Sequence, residues 1–389
     1  MQDILTNLTV LRNILNDKIF SLFAACDDGT EENFAAFIHA FYEKYGSDGA
    51  DPDFAAYTEN LILYDENILS KSFASGVAPS RYIKNAYLRD LSIISDSLKT
   101  FDLYEYFKCN VKNFLFCKSP EEALNKWSNL YTNVGYGRFL KYNAFVYENG
   151  DLTPSGNGDD ISIYNLKDYA SEKQLISDNI ESFIDGLPYS DMLLYGDMGT
   201  GKSSTVRAML KKYSDRKLRL IEVGRKNLSQ IPEIRRLAAL FPMKFLIFID
   251  DLTIDDCDER LSSLKTSIEG SSAVYKNSMI VATSNRRHIV KEKFIDREND
   301  VHANDLLQEQ LSLSDRFGLT VMFSSVDKSE YLSIVRQLAS DKKITLGDEE
   351  LCFLAERWAI SKGGRSPRRA KQFIDLAAAA QIKGVNIDF

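Results

Sequence analysis

The sequence predicts an α/β protein whose five-stranded parallel sheet follows a separate, mostly helical domain and precedes a small helical one. Two observations lead to this prediction. After residue 160, short apolar runs alternate with segments of helical periodicity, which is typical of a parallel sheet covered by helices on both faces. Before residue 150 and after residue 326, the apolar residues follow only a helical period.

Length and composition are those of a globular protein with more than one domain. The chain has 389 residues, of which 44% are hydrophobic and 27% are charged. It contains no apolar run long enough to span a membrane, and its start lacks the pattern of a signal peptide. The five cysteines are scattered and the three histidines are isolated, which argues against a disulfide scaffold and a zinc site. We therefore expect a cytoplasmic protein.

Residues 1–152 are predicted to form an acidic helical domain. The spacing of Leu5, Leu8 and Leu11 predicts a helix at the start of the chain. Residues 1–160 carry 14 lysines and arginines against 23 carboxylates, a net charge of −9, whereas the remainder carries +1. An acidic surface binds nucleic acid poorly, so this domain is expected to contact a protein partner. A solvated surface that only maintains solubility explains the charge equally well.

A segment rich in breaker residues, 153–160, predicts the boundary to an α/β core over 161–325. The five predicted strands of this core are Met192–Tyr195, Leu218–Val223, Phe245–Ile249, Met279–Ala282 and Thr320–Phe323. Residues 326–389 are predicted to form a helical lid. Its three predicted helices are Lys328–Ala339, Asp348–Ser361 and Ser366–Gln381.

A glycine-rich motif, GxxxxGK[ST], follows the first of these strands and opens a helix, which is the context of a P-loop (Walker A). Glycines let the backbone N–H groups turn toward a phosphate, and the helix N-terminus adds a favourable dipole. Lys202 is expected to reach the β- and γ-phosphates of ATP, and the Ser203 hydroxyl to ligate Mg²⁺. The predicted nucleotide contacts are Gly196, Asp197, Met198, Gly199, Thr200, Gly201, Lys202, Ser203 and Ser204.

Two carboxylates end the predicted strand Phe245–Ile249 and suggest a Walker B site. Functional groups of parallel sheets gather at the carboxyl ends of the strands, where the P-loop also lies. Asp250 is therefore predicted to hold Mg²⁺, and Asp251 to polarise the attacking water. An ordinary acidic turn is the alternative, particularly for Asp251. P-loop ATPases with such an acidic strand usually carry Glu at the position of Asp251, so hydrolysis is expected to be slow.

In this order the motifs resemble those of the AAA+ ATPase superfamily. More closely, the chain resembles a family of predicted bacterial ATPases known as domain of unknown function 815. The matching segments lie between residues 161 and 385 and include Leu193–Ser204, Phe248–Leu252, Ala282–His288, Leu313–Gly318 and Arg365–Arg369. The resemblance implies an AAA+ core with a C-terminal helical lid, ATP and Mg²⁺ as ligands, and an ATPase activity.

The resemblance also implies roles for residues outside the two motifs. Asn285 would be the sensor-1 residue, between the P-loop and the acidic strand, although an Asn that caps a turn is a fair alternative. Arg316 would be an arginine finger that reaches a neighbouring subunit's nucleotide, which implies a homo-oligomer. Arg368 would be sensor 2, with Arg369 as the alternate choice. Tyr169 and Ala170 would lie near the adenine.

The resemblance further bears on the partner. Protein-threading AAA+ rings carry an aromatic loop after the second strand, and the corresponding segment 224–230 has no aromatic residue. We therefore expect a nucleotide-switched ATPase that acts on an unidentified protein client through its N-terminal domain. A nucleic-acid-acting ATPase of the helicase-loader type is the alternative, supported by the basic residues Lys362–Lys371, Arg286 and Arg287 and opposed by the net charge of −8. A small-molecule kinase and a GTPase are less consistent with the motifs.

Overall fold

The computed structural model describes residues 5–26, 31–45, 52–100, 103, 106–156, 168–252, 268, 275–285 and 316–385. The chain divides into two compact units, Met1–Tyr142 with Asp215–Lys217, and Asn143–Ser214 with Leu218–Phe389. The three predicted domains, 1–152, 161–325 and 326–389, stay a prediction. Arg286, Arg287 and part of the predicted boundary segment lie outside the described residues.

The first unit is helical around an aromatic core. Its described α-helices are α1 (Lys18–Ala25), α2 (Glu31–Tyr45), α3 (Phe54–Leu63), α4 (Ile68–Ala74), α5 (Arg81–Thr100), α6 (Leu115–Lys118), α7 (Pro120–Asn133) and α8 (Gly137–Lys141). Phe37 and Phe41 of α2 are fully buried against Phe54 and Phe107, with ring centroids as close as 4.5 Å. The aromatic richness of this region therefore serves packing, since paired rings favour such offset and edge contacts.

The predicted helix at the start of the chain is wrong, and a buried carboxylate explains why. The structure has only two 3-10 segments there, Leu5–Asn7 and Arg12–Asn16. Between them, the backbone N–H groups of residues 9, 10 and 11 all donate to the carboxylate of Asp90, at 2.9, 2.7 and 3.0 Å. In an α-helix these three N–H groups would donate to carbonyl oxygens four residues earlier. Here they bond Asp90 instead, so a tertiary contact overrides the helical spacing of the leucines.

A seven-stranded sheet organises the second unit. Its strands are β1 (Ala144–Glu148), β2 (Asp151–Gly156), β3 (Met192–Gly196), β4 (Leu218–Glu222), β5 (Lys244–Ile249), β6 (Ser278–Ser284) and β7 (Leu319–Phe323), in the spatial order β2-β1-β4-β5-β6-β3-β7. All neighbours are parallel except the antiparallel hairpin of β1 and β2. Every residue of β3 and β6 is buried, as a parallel sheet covered on both faces requires.

The prediction of an α/β fold with parallel strands is confirmed, but the number of five strands is wrong. The two additional strands form a hairpin in a region that was interpreted as helix and breaker. Its turn is Asn149-Gly150, with φ values of 52° and 82°, a dipeptide that strongly favours a two-residue hairpin. Pro154 lies in β2, which is an edge strand and can therefore tolerate a residue without a backbone N–H.

Six further α-helices are described in the second unit. They are α9 (Ala170–Ile184), α10 (Lys202–Tyr213), α11 (Ile231–Ala238), α12 (Lys328–Asp341), α13 (Asp348–Ser361) and α14 (Pro367–Lys383). The last three match the predicted helices after residue 326. A capping box of Asp327 and Glu330 begins α12, and Ser366 with Pro367 begins α14. Among the described helices, none is both long and apolar enough to cross a membrane.

Candidate nucleotide-binding site

The glycine-rich loop lies where the sequence predicts it, between a buried strand and a helix. Five residues, Asp197–Gly201, connect the end of β3 to the start of α10. Gly196, Gly199 and Gly201 have φ values of 136°, 81° and 96°, which side chains rarely adopt. A Cβ on Gly196 would lie 2.0 Å from the carbonyl oxygen of Phe323. Glycine is therefore required at this position by close packing as well as by backbone conformation.

Lys202 lies inside this loop. The residue is only 5% exposed. Its Nζ donates hydrogen bonds to the carbonyl oxygens of Gly196 at 2.9 Å and Asp197 at 2.7 Å. Burial lowers the pKa of this amine from 10.5 to about 8. The loop thus holds a desolvated cation at the N-terminus of a twelve-residue helix, where an anionic polyphosphate would be favoured.

A carboxylate and two hydroxyls converge beside the loop. Asp250 follows β5, and its Oδ1 accepts hydrogen bonds from Ser203 Oγ at 2.5 Å and Thr283 Oγ1 at 2.7 Å. Ser203 comes from the first turn of α10, whereas Thr283 comes from β6, the strand between β3 and β5. The sequence predicted Asp250 and Ser203 but missed Thr283, because only the strand order brings β6 to this place.

These oxygens fit a magnesium ion. In the described part of the chain, no group of three or more His, Cys, Asp or Glu side chains could hold a metal by itself. Mg²⁺ usually binds one or two protein oxygens and completes its shell with phosphate and water. The Ser203 hydroxyl and the Asp250 carboxylate match that pattern, since they lie in contact with each other beside the phosphate loop.

Asp251 is held by three partners in a left-handed conformation, with a φ of 55°. Its backbone N–H donates to Thr283 Oγ1 at 2.8 Å, and Oδ1 accepts from Asn285 Nδ2 at 2.6 Å. The Arg225 guanidinium donates to Oδ2 at 2.7 Å and to the Asp251 carbonyl at 2.6 Å. Asn285 and Asp251 are thus in contact, as their predicted roles around one water molecule would require.

Arg225 was missed as a site residue. Its signal in the sequence is its place, three residues after the carboxyl end of β4. That place is informative, because β4 and β5 are neighbouring parallel strands whose carboxyl ends meet at one edge.

The start of the last helix touches the phosphate loop. The backbone N–H of Arg368 donates to the Gly199 carbonyl at 3.2 Å, and a Cβ on Gly199 would lie 3.3 Å from Arg368 Cβ. The alternate choice, Arg369, instead donates from Nη1 to the Gly364 carbonyl at 2.6 Å. The geometry therefore brings Arg368 to the P-loop, whereas the Arg369 side chain bonds the loop between α13 and α14.

Arg316 is not brought to this site. It precedes β7, which pairs with β3 from Leu319 opposite Met192 to Phe323 opposite Gly196. The P-loop follows the carboxyl ends of these strands and Arg316 lies before their amino ends. Five strand residues separate the two edges by about 16 Å. Arg316 and the P-loop of the same chain thus lie at opposite edges of the sheet.

Tyr169 and Ala170 begin α9 near the end of β7. The Tyr169 ring centroid lies 5.0 Å from that of Phe323, and its hydroxyl donates to the Ser324 carbonyl at 2.5 Å. Burial raises the pKa of this phenol above its usual range. The Tyr169 side chain therefore belongs to the core, while Ala170 is exposed beside it.

Comparison with known proteins identifies the family. The model of a family described as "Protein of unknown function (DUF815)" matches residues 140–381. No curated protein matches the chain in sequence. Among solved structures, the Thermotoga maritima RuvB Holliday junction branch migration motor is 15% identical with a TM-score of 0.41, over 58% of this chain and 67% of that one. The FIGL-1 AAA domain in complex with ADP is 17% identical with a TM-score of 0.40, over 59% and 78%.

Neither likeness assigns a substrate or a partner to this chain at these identities and TM-scores. The family match is of a different kind, because it covers more than half of the sequence and includes the P-loop, the acidic strand and the last helix. The chain therefore belongs to the DUF815 family.

Proposed function

We propose that this protein is an AAA+ ATPase that binds ATP with Mg²⁺ and hydrolyses it at a site completed by a neighbouring copy of the chain. The observation that carries the proposal is the contact between Ser203 Oγ and Asp250 Oδ1 beside the buried Lys202. A P-loop hydroxyl, a strand-end carboxylate and a loop lysine are the groups that bind a magnesium nucleotide.

Phosphate binding is the task of the loop amides and Lys202. The amine exchanges its contacts with the Gly196 and Asp197 carbonyls for oxygens of the β- and γ-phosphates. The new hydrogen bonds are stronger, because both donor and acceptor are charged. Arg368 lies close enough to the P-loop for its backbone to bond Gly199, so its guanidinium is suited to contact the same phosphates.

Ser203 and Asp250 would hold Mg²⁺ at this site. When bound, the ion would neutralise the negative charge that develops on the phosphate groups during hydrolysis. Thr283 donates to the same oxygen of Asp250 as Ser203 and thereby fixes the orientation of the carboxylate.

Water activation is assigned to Asp251, with Asn285 as its orienting partner. Asp251 Oδ2 is engaged by Arg225 in the conformation described here. For Asp251 to accept a proton from water, this contact has to loosen. This contact and the short side chain of Asp both support slow basal hydrolysis. Loss of the contact between Arg225 and Asp251 would accelerate it.

Arg316 is proposed to act in a neighbouring subunit. It lies at the amino end of the sheet, whereas the P-loop of its own chain lies at the carboxyl end. A guanidinium at that edge can reach a γ-phosphate only when copies of the chain associate head to tail, which generates a ring or a filament. ATP would then stabilise the interface and hydrolysis would release it.

The proposed client is a protein rather than a nucleic acid. Two cations of the basic C-terminal cluster are engaged within the chain, because Arg365 pairs with Glu356 at 2.8 Å and Arg369 with the Gly364 carbonyl at 2.6 Å. Arg368 lies at the P-loop. The acidic N-terminal region remains the proposed surface for the client.

Binding of a fluorescent ATP analogue tests the nucleotide site directly. Removing Lys202 deletes a buried charged donor, so Lys202→Ala is expected to weaken binding about 10- to 100-fold. Lys211→Ala, on the same helix but away from the loop, serves as the matched control and should bind as the wild type does. Equal binding by Lys202→Ala and wild type, or no Mg²⁺-dependent binding at all, would refute the proposed function.

A further inference from the structure

A buried ion pair lies at the amino end of the sheet, away from the P-loop. Arg235 of α11 donates from Nη2 to Asp191 Oδ2 at 3.1 Å, and the two side chains are only 1% and 7% exposed. Within the described residues, Arg235 Nε and Nη1 have no hydrogen-bond partner. Burying two charges costs desolvation, and apolar residues of equal volume often stabilise a fold as well. The stability of the fold therefore does not explain why a buried ion pair is present at this place.

Asp191 connects three elements at this edge. Its Oδ2 receives Arg235 from α11, and its Oδ1 accepts the backbone N–H of Ile280 in β6 at 2.6 Å. The Asp191 carbonyl accepts the N–H of Leu319, the first residue of β7, at 3.2 Å. The guanidinium thus holds the side chain of the residue whose backbone carbonyl receives the start of β7.

The backbone that directly follows Arg316 packs against Ser190, the residue before Asp191. Phe317 is 4% exposed, and a Cβ on Gly318 would lie 2.6 Å from Ser190 Oγ and 2.8 Å from Ser190 Cβ. Ser190 is fixed in turn by Asn179, which accepts from its N–H at 3.0 Å and donates to its carbonyl at 2.8 Å. Gly318 and Leu319, which follow Arg316 closely, are therefore packed on Ser190 and Asp191, and Phe317, between Arg316 and Gly318, is buried.

We propose that Asp191 and Arg235 form a positioning pair for Arg316, which they hold in the place from which it reaches the γ-phosphate of a neighbouring copy. The proposal rests on the ATPase function proposed above. Catalytic geometry is sensitive to displacement, and an error of 1 Å costs about 100-fold in rate. Both residues of the pair lie at the amino ends of the strands, away from the P-loop of the same chain.

The double variant Asp191→Asn/Arg235→Met tests the pair without leaving an unpaired charge inside the protein. The introduced asparagine keeps an oxygen for the Ile280 N–H, and methionine replaces the guanidinium stem with an apolar group. We expect ATP hydrolysis to fall about 100-fold, as for a displaced reacting group, while affinity for the fluorescent ATP analogue stays unchanged. Undiminished hydrolysis would overturn the proposal.

Mixing variants distinguishes a displaced finger from general damage. The double variant keeps an intact P-loop, and Lys202→Ala protein keeps a correctly placed Arg316. In an equal mixture, about a quarter of the interfaces join these two intact halves, and hydrolysis should be restored there. Arg316→Ala protein should restore none. Restoration by both partners, or by neither, would show that the pair does not act through Arg316.

The mixture of Lys202→Ala with Arg316→Ala separates the two proposals. Hydrolysis by this mixture supports the shared site, and its absence refutes the shared site together with the positioning role. If the double variant does not fold, as judged by circular dichroism, Arg235→Lys replaces it. Arg235→Lys keeps the charge but loses the planar guanidinium and its Nη2 donor, so ATP hydrolysis should fall less, with the same asymmetry between mixing partners.

Discussion

Lys202 and Asp251 each make contacts that the proposed ATP turnover would have to change. Lys202 donates to two carbonyl oxygens of its own loop, and Asp251 is engaged by Asn285 and Arg225. In both cases a charged group is held close to the place where its proposed partner would bind.

The affinity for ATP should depend on pH through Lys202. Burial lowers the pKa of its amine from 10.5 to about 8, so about half of the nucleotide-free protein has lost this proton at pH 8. Bound phosphates favour the charged amine, and binding therefore takes up a proton above that pH. Affinity should be highest below pH 8 and fall by up to about tenfold per pH unit above it. Fluorescence titrations with the ATP analogue between pH 7 and 9.5 measure this affinity. Lys202→Met should bind weakly, with an affinity that does not change with pH. A wild-type affinity that is equally independent of pH would refute the role of Lys202 in phosphate binding.

Arg225→Ala should raise basal ATP turnover. The pair with Asp251 is half exposed, at 47% and 49%, and such pairs contribute about 0–1 kcal/mol. Freeing Asp251 Oδ2 should therefore increase the rate about two- to fivefold, measured as phosphate release per subunit. Arg236→Ala, which removes an exposed pair with Glu233, is the control and should leave turnover unchanged. A lower rate in Arg225→Ala would mean that Arg225 assists the chemistry.

Secondary-structure elements differ in how far the sequence predicts them. The strands β3 to β7 could be predicted within one or two residues, because continuous apolar runs and the glycine-rich motif are local signals. The 3-10 start of the chain could not, since a carboxylate 80 residues away takes its amide donors. Thr283 and Arg225 were missed for a related reason, because only the spatial order of the strands brings them to Asp250 and Asp251.

Gly196→Ala should destabilise the sheet more than Gly201→Ala does. A Cβ at residue 196 meets the backbone of Phe323 at 2.0 Å, so β3 and β7 must separate, at a cost of at least about 3 kcal/mol. At residue 201 nothing lies within 4 Å, and only the backbone strain of a positive φ remains, about 1–2 kcal/mol. Denaturant unfolding of both variants measures the difference in the free energy of unfolding. Equal losses would contradict the close approach of β3 and β7.

The sheet of the second unit separates the proposed functional groups between its two edges. The P-loop, Asp250 and Asp251 lie at the carboxyl ends of the strands, whereas Arg316 and the pair of Asp191 and Arg235 lie at the amino ends. A single copy cannot bring these edges together, because a rigid parallel sheet lies between them. In the proposed function the ATPase site is therefore shared between copies, and its activity would depend on how many copies associate.

Hydrolysis of ATP across a range of protein concentrations tests this claim most directly, with Lys202→Ala and Arg316→Ala measured beside the wild type. We predict that the specific activity of the wild type rises with concentration, because association completes each site. Both variants should be inactive at every concentration, and Arg316→Ala should still bind ATP. A specific activity that does not change with concentration, together with a fully active Arg316→Ala, would contradict the shared site and leave each copy to act alone.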